Sequence, residues 1–131
     1  MIKKTFLLGC VLAMFSTVPQ IAGAGYEEGE EANLSGNREA AFSHFLAAAE
    51  QGDVRAFGKL GAMYLYGLGT ARDFASAYVW FSLAEEQGDK QAERFRMAAS
   101  SAMNRAQFEQ AHLLLGKKRE QLAIRQLPPI K

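Results

Sequence analysis

Side chains that could carry catalysis are few in this sequence of 131 residues. His44 and His112 are its two histidines, and Cys10 is its one cysteine. A zinc site needs several such ligands together, and neither histidine belongs to an H-x-x-x-H pair. Four serines, Ser76, Ser82, Ser100 and Ser101, have no nearby histidine or lysine in a recognisable nucleophile motif. The sequence therefore predicts no catalytic site, no metal and no cofactor.

Two further patterns resemble functional motifs. The stretch from Gly67 to Thr70 reads GLGT, but it lacks the third glycine, the lysine and the preceding strand of a phosphate-binding loop. It is more typical of a turn that ends a helix. The acid pairs at 30–31 and 85–86 are adjacent, so in a helix their side chains point about 100° apart and cannot act together as general acid and base. We interpret these acids as solvated surface or as contacts to a basic partner.

The first 24 residues have the layout of a secretory signal peptide. Two lysines precede an apolar run at 5–18, which Pro19 ends, and small residues lead to Ala24. The run is shorter than the ~20 residues that a membrane-spanning helix needs. We predict cleavage after Ala24 and a periplasmic or secreted chain without a stable membrane span in its mature form. The alternative is a lipoprotein anchored through Cys10, because LLGC resembles a lipoprotein box.

The predicted mature chain has one helical domain at 25–125 and a disordered tail at 126–131, where two prolines cannot continue a helix. Residues 25–54 carry seven acidic residues and one basic residue, whereas residues 105–131 carry six basic and two acidic residues. A molecule with such ends could attract a charged partner or stack head to tail on itself. Nucleic acid is not an expected partner, because the basic excess is small and lacks interleaved aromatic residues.

A repeat of 36 residues organises the chain. EQGD occurs at 50–53 and again at 86–89, and small and aromatic residues coincide in the same register: Ala41 with Ala77, Phe45 with Phe81, Ala48 with Ala84, Gly52 with Gly88, and Ala56 with Ala92. The apolar residues have helical spacing, and a capping residue precedes each run: Asn37, Asp53, Asp73, Asp89 and Asn104. The pattern predicts three antiparallel helix pairs and no strand, with helices at 26–34, 38–51, 54–66, 74–87, 90–102 and 105–120.

These residues resemble the Sel1-like repeat family, whose members are α/α solenoids related to tetratricopeptide repeats. The middle unit carries the resemblance through A-x-x-x-L-G-x-x-Y-x-x-G-x-G, an aspartate, and a later W-F-x-x-A and Q-G; the matching residues are Ala56, Leu60, Gly61, Tyr64, Gly67, Gly69, Asp73, Ala77, Trp80, Phe81, Ala84, Gln87 and Gly88. The last unit departs from the pattern, since Arg96 and Met97 replace Leu-Gly. The resemblance implies an all-α, right-handed α/α solenoid of about three antiparallel helix pairs.

The resemblance also implies a function. Export is common in the family, its members act as adaptors, and the first helix of each pair lines the concave face. A basic, partly aromatic binding groove is therefore expected from Arg55, Lys59, Ala62 and Tyr66, with Arg94 on the next first helix. We expect an exported, non-enzymatic adaptor or scaffold that binds another protein. The alternatives are an immunity or inhibitor protein, whose acidic face at 27–31 covers the active site of a secreted toxin, and a hydrolytic enzyme.

Overall fold

Six helices make up the chain in the computed structural model, which describes residues 24–128. They are α1 (Ala24–Leu34), α2 (Arg38–Glu50), α3 (Arg55–Tyr66), α4 (Phe74–Glu86), α5 (Ala92–Ser101) and α6 (Arg105–Arg125). No strand occurs within 24–128, so the prediction of an all-α helical-repeat solenoid is confirmed. The predicted signal peptide with Cys10 lies outside the described residues, except for Ala24, which begins α1. The last three residues of the predicted tail also lie outside them.

Capping side chains start three helices where the sequence predicts. Asn37 and Asp73 each accept a hydrogen bond of 3.1 Å from the backbone N–H three residues later. Asn104 accepts from the N–H of Gln107 at 2.9 Å, and the Gln107 side chain accepts from the N–H of Asn104 at 3.0 Å, which completes a capping box. These bonds satisfy N–H groups that have no partner inside the helix, and so fix the starts of α2, α4 and α6.

The repeated EQGD stretches form the turns between the pairs. Gly52 and Gly88 have φ angles of +92° and +94°, a left-handed conformation that glycine adopts without strain. The aspartates that follow, Asp53 and Asp89, accept hydrogen bonds from the N–H two residues later, at 3.1 and 2.9 Å. The prediction that these aspartates are the N-caps is wrong, because α3 and α5 begin one or two residues later than predicted and their N-caps are Val54 and Gln91, which make no side-chain capping bond. The aspartates instead stabilise the tight turn that precedes each helix.

In each of the first two helix pairs, a phenylalanine ring of the second helix lies against a glycine of the first helix. α1 packs on α2, and α3 packs on α4. A Cβ atom at Gly29 would lie 2.7 Å from the ring of Phe45, and one at Gly61 would lie 2.8 Å from the ring of Phe81. Both rings are buried, with 1% and 3% of their residues' surface exposed. Close approach of the paired helices therefore depends on these two glycines.

The fifth and sixth helices do not pack against each other, so the prediction of a third antiparallel pair is wrong; we call this arrangement the open third pair. α5 and α6 both pack on α4 and make little contact with each other. Met97 stands 36 residues after Gly61, so the last unit has no glycine for a ring to rest on. His112 stands eight residues after its cap, as Phe45 and Phe81 do after theirs. The closing helix therefore lies along α4, and it extends to Arg125, five residues past the predicted end.

Candidate protein-binding surfaces

A groove of about 410 Å³ lies between α3 and α5 and is floored by α4. We call it the first-helix groove. Its floor contains Phe81 and Phe95, whose rings stack with centroids 5.3 Å apart, together with Ala62 and Ala84. Val54, which is 44% exposed, stands at the entrance. Phe81 and Ala84 are only 3% and 2% exposed, so the apolar surface open to a partner comes from Val54 and from the partly buried Ala62 and Phe95.

Three of the five residues predicted to bind a partner line this groove: Arg55, Lys59 and Ala62. Arg94 is exposed beside its floor, with its guanidinium carbon 5.0 Å from the centroid of the Phe95 ring. Tyr66 is the last residue of α3, is 53% exposed and does not line the groove. The structure thus places three of the five in one groove, and the role of all five in binding stays a prediction.

The two cations of the groove already have acidic partners. Arg55 lies between Asp53 and Glu27, with N···O distances of 2.8 and 2.9 Å, and Lys59 Nζ lies 2.9 Å from Glu30. The hydrogen bond from Arg55 lowers the pKa of the Asp53 carboxyl, and the same bond together with that to Glu27 raises the pKa of Arg55. The expected basic stripe is therefore nearly neutral, since each cation is matched by a carboxylate.

These pairs also divide the acids of α1 into two sets. Glu27 and Glu30 bind α3, whereas Glu28 and Glu31 have no ion-pair partner among the described residues and are exposed. The acidic face required by the immunity alternative is therefore reduced to two carboxylates. The same arrangement ties α1 to α3, so that the first helices lie side by side.

The opposite rim of the groove was missed by sequence reasoning. Gln87, Asp89 and Gln91 line it, and a Cβ atom at Gly58 would lie 3.2 Å from Asp89 Oδ2. The sequence predicts only a capping role for Asp89, whereas its carboxylate accepts from the N–H of Gln91 in the turn before α5 and lines the groove. Gly58 in the middle of a helix was the available signal, because glycine there is unfavourable unless another group approaches closely.

The adjacent acids of α4, Glu85 and Glu86, form ion pairs with the two helices that follow. Glu85 Oε2 lies 2.6 Å from Arg96 of α5, and Glu86 Oε1 lies 2.9 Å from Nε of Arg119 of α6. Each carboxylate raises the pKa of its arginine. Because neighbours on a helix point in different directions, one acid holds α5 and the other holds α6. Both side chains remain 39% exposed, so these acids lie at the surface as expected, but each is also paired with an arginine of the same chain.

A second hollow separates α5 from α6; we call it the end cleft. It has a volume of about 450 Å³, and Tyr78 and Ser82 of α4 lie in its floor. His112 Nε2 is 3.2 Å from the Tyr78 hydroxyl, and Arg96 and Arg119 stand on opposite walls. The cleft exists because the third pair is open.

Catalytic features are sparse in the part of the chain that the structure describes. Residues 24–128 contain no group of three or more histidine, cysteine, aspartate or glutamate side chains placed to hold a metal ion. The GLGT stretch is a turn after α3, as expected, and a Cβ atom at Gly69 would lie 2.1 Å from the carbonyl oxygen of Arg38. Its second glycine therefore allows the loop to lie against the start of α2. Within the same range, no helix combines the length and the apolar character needed to cross a membrane.

Comparison with known proteins agrees with this architecture. The pattern of the Sel1 repeat family matches residues 21–53 and 59–89. The chain belongs to the Sel1-like repeat family. An uncharacterized Sel1-like repeat-containing protein of Schizosaccharomyces pombe is 45% identical over 47 residues, which are 36% of this chain and 7% of that protein. This Sel1-like repeat chain therefore spans less than a tenth of the length of the yeast protein.

A solved structure shares the fold over most of the chain. It is the crystal structure of a protective antigen, present in uropathogenic Escherichia coli strains, that displays an SLR fold. The TM-score is 0.66 and the identity is 28%, over 84% of this chain and 27% of the antigen. This chain therefore spans about a quarter of the length of the antigen chain that it matches. Sel1 repeats typically mediate protein interactions and are typically not enzymes.

Proposed function

We propose that this chain is an exported, periplasmic, non-enzymatic adaptor that binds another protein through the first-helix groove. The observation that carries the proposal is the chemistry of that groove: stacked phenylalanines on its floor and charged groups of both signs on its rims. Protein interfaces typically combine an apolar, aromatic centre with a polar margin that excludes water. The expected partner segment therefore carries an apolar side chain for the floor and charges for the rims.

The neutral balance of the groove favours recognition by shape and apolar burial over attraction of a strongly charged ligand. Arg55 and Lys59 would have to exchange Glu27 and Glu30 for partner carboxylates, which gains little at exposed positions. The aromatic floor offers more, because burying apolar surface contributes roughly 25 cal/mol per Å². We therefore expect binding to depend more on Phe95 and Ala62 than on the two cations.

Site-specific crosslinking in intact cells tests the groove. A photo-crosslinking amino acid at Ala62 lies inside it, and the same group at Ala123 lies on the exposed surface of α6 as a control. We expect a distinct protein to be captured from Ala62 and not from Ala123, and to be lost when Phe95 is changed to glutamine. Capture of the same proteins from both positions, or of none, contradicts the proposal.

Export is tested separately by fractionation and mass measurement of the full chain expressed in a bacterial host. We expect the protein in the periplasm with a mass that corresponds to cleavage after Ala24. A lipid-modified chain in the membrane fraction, shifted by Cys10→Ser, supports the lipoprotein alternative. A full-length cytoplasmic chain refutes export.

A further inference from the structure

We infer that the chain forms a two-fold symmetric dimer in which the outer face of α6 packs antiparallel on the same face of a second copy. The inference is independent of the first-helix groove and starts from the two faces of α6. The inner face packs on the rest of the molecule through residues that are buried or partly buried: Phe108, Ala111, Leu115, Lys118 and Leu122. The outer face points away from α4 and is exposed along its length.

The outer face of α6 carries large apolar side chains. Leu113 is 70% exposed and Ile124 is 58% exposed, and Leu127, just beyond the end of the helix, is 67% exposed. Among the large apolar residues of 24–128, Leu34 alone is more exposed than Leu113. Single apolar residues on a surface need no explanation, but their recurrence along one helix face indicates a contact surface.

The exposed residues of this face have the spacing that packs one helix along another. Lys117 and Glu120 lie between Leu113 and Ile124 on the same face, at alternating intervals of four and three positions. This is the a/d spacing of a coiled coil, which keeps one face of a helix directed at a neighbouring helix. We call the whole set the α6 seam; its residues, all of them exposed, are Gln110, Leu113, Lys117, Glu120, Ile124 and Leu127.

The charges of the α6 seam are complementary to those of a second, antiparallel copy. Lys117 and Glu120 have no ion-pair partner among the described residues, whereas the next cations of α6 bind carboxylates of α2 and α4. In an antiparallel pair, Lys117 of one copy faces Glu120 of the other. Leu113 then faces Ile124 in the same register, because the two pairs share one midpoint along the helix. A parallel pair would place lysine against lysine and glutamate against glutamate, which is unfavourable.

Two-fold symmetry doubles each of these contacts. One dimer contains two Lys117–Glu120 pairs and two Leu113–Ile124 contacts, and such an isologous contact closes at two copies. One helix face from each copy is a small surface compared with the interface of about 1,200–2,000 Å² that stable complexes bury. We therefore expect a weak dimer that dissociates on dilution. No residue of α6 lines the first-helix groove, so the dimer leaves the grooves of both copies open.

Sedimentation velocity over a concentration series tests the dimer on the protein that cells accumulate after expression of the full chain. Leu113→Gln should lower the association constant at least about tenfold, because it places an amide without a hydrogen-bond partner against Ile124. The melting temperature of the dilute protein should not change, since Leu113 is exposed in the single chain. Leu34→Gln is the matched control, because it removes an equally exposed leucine from α1 and should leave the association constant unchanged.

Exchange of charges tests the antiparallel orientation. Lys117→Glu and Glu120→Lys each place like charges at two symmetric positions, so each should lower the association constant at least about tenfold. The double variant Lys117→Glu/Glu120→Lys keeps the net charge, restores opposite charges across the contact, and should dimerise as the wild type does. An equimolar mixture of the two single variants should form a heterodimer for the same reason. Glu28→Lys is the control, since it makes the same change as Glu120→Lys at an exposed carboxylate of α1.

Three results overturn the inference. The first is a wild type that stays monomeric at all concentrations. The second is a dimer that neither Leu113→Gln nor Lys117→Glu weakens, since its interface then lies elsewhere. The third is a double variant that associates no better than the two single variants, because opposite charges at these positions then do not meet across the contact.

Discussion

Gly61→Ala adds one methyl group to α3 at the point where α4 comes closest. The new Cβ atom would lie 2.8 Å from Cδ1 and Cγ of Phe81 and 2.9 Å from Cδ2. Carbon atoms in a packed core prefer separations of about 3.5–4.0 Å, so the methyl group overlaps three ring atoms. The ring has little room to retreat, because it is 3% exposed and stacks on Phe95 at 5.3 Å. Either the helices separate or the stack is disturbed.

Two opposing effects set the size of the change. Alanine is favoured over glycine inside a helix by about 1 kcal/mol. Overpacking of a well-packed core typically costs about 1–3 kcal/mol. The expected net change in the free energy of unfolding for Gly61→Ala therefore ranges from near zero to a loss of about 2 kcal/mol. The single variant is hard to interpret because the helical gain hides part of the overlap.

Gly116→Ala separates the two effects. Gly116 lies inside α6 and has no atom within 4 Å of the position of a Cβ, so only the helical gain of about 1 kcal/mol applies. The two variants should differ by the overlap term alone, about 1–3 kcal/mol, which separates their melting temperatures by at least about 4 °C in a domain of this size. Thermal and urea unfolding followed by circular dichroism measure the difference.

A double variant assigns the loss to the ring. Phe81→Leu removes the atoms that the methyl group meets, so Gly61→Ala should cost less in the Phe81→Leu background than in the wild type. If Gly61→Ala melts as high as Gly116→Ala, the closing of the second pair does not depend on a glycine under a ring. The explanation offered for the open third pair then fails with it.

Three further changes test the caps and the turns. Asn104→Ala should lower the free energy of unfolding by about 1 kcal/mol, because it removes one half of the capping box of α6; urea unfolding measures the loss, and an unchanged midpoint refutes it. Asp53→Asn should be less stable than the wild type at pH 7, and the gap should close as pH falls below about 4, because the lowered pKa of Asp53 stabilises the fold only while the carboxylate is ionised. Melting at several pH values tests this, and a gap that widens in acid contradicts it. Gly52→Val should cost about 1–2 kcal/mol or more through its φ of +92° alone, since no atom lies within 4 Å of its Cβ position, and an equally stable protein would exclude that strain.

Local features of the fold could be predicted from the sequence because their causes lie within a few residues. Asn37 caps the helix that follows it directly, and the 36-residue register places each ring above its own pair. The packing of the closing helix could not be predicted in this way. It depends on a missing glycine at Met97 and on ion pairs between residues 11 and 33 positions apart, Glu85 with Arg96 and Glu86 with Arg119, for which no periodic signal exists.

The candidate site shows the same limit. The spacing of Arg55, Lys59 and Ala62 on one helix face follows from the helical period, so their common position in the groove was predictable. The net charge of the groove that contains them was not predictable from this spacing. Glu27 and Glu30 come from another helix and match the two cations one for one. The basic residues along α3 therefore did not predict the nearly neutral charge of the groove.

The repeated EQGD stretch has a second role beside its turn, and this role explains which face of the solenoid stays open. Its glutamates, Glu50 and Glu86, are the last residues of α2 and α4, where the helix dipole disfavours a negative charge. Consecutive cations of α6 offset both: Lys118 Nζ is 3.5 Å from Glu50, and Arg119 binds Glu86.

Helix α6 thus binds the C-terminal ends of both α2 and α4. The 36-residue period places a glutamate at each of these ends, and α6 can reach both because it does not pack against α5. The solenoid is closed by α6 over its second helices and left open along α1, α3 and α5. The first-helix groove between α3 and α5 therefore stays open because α6 packs on α4.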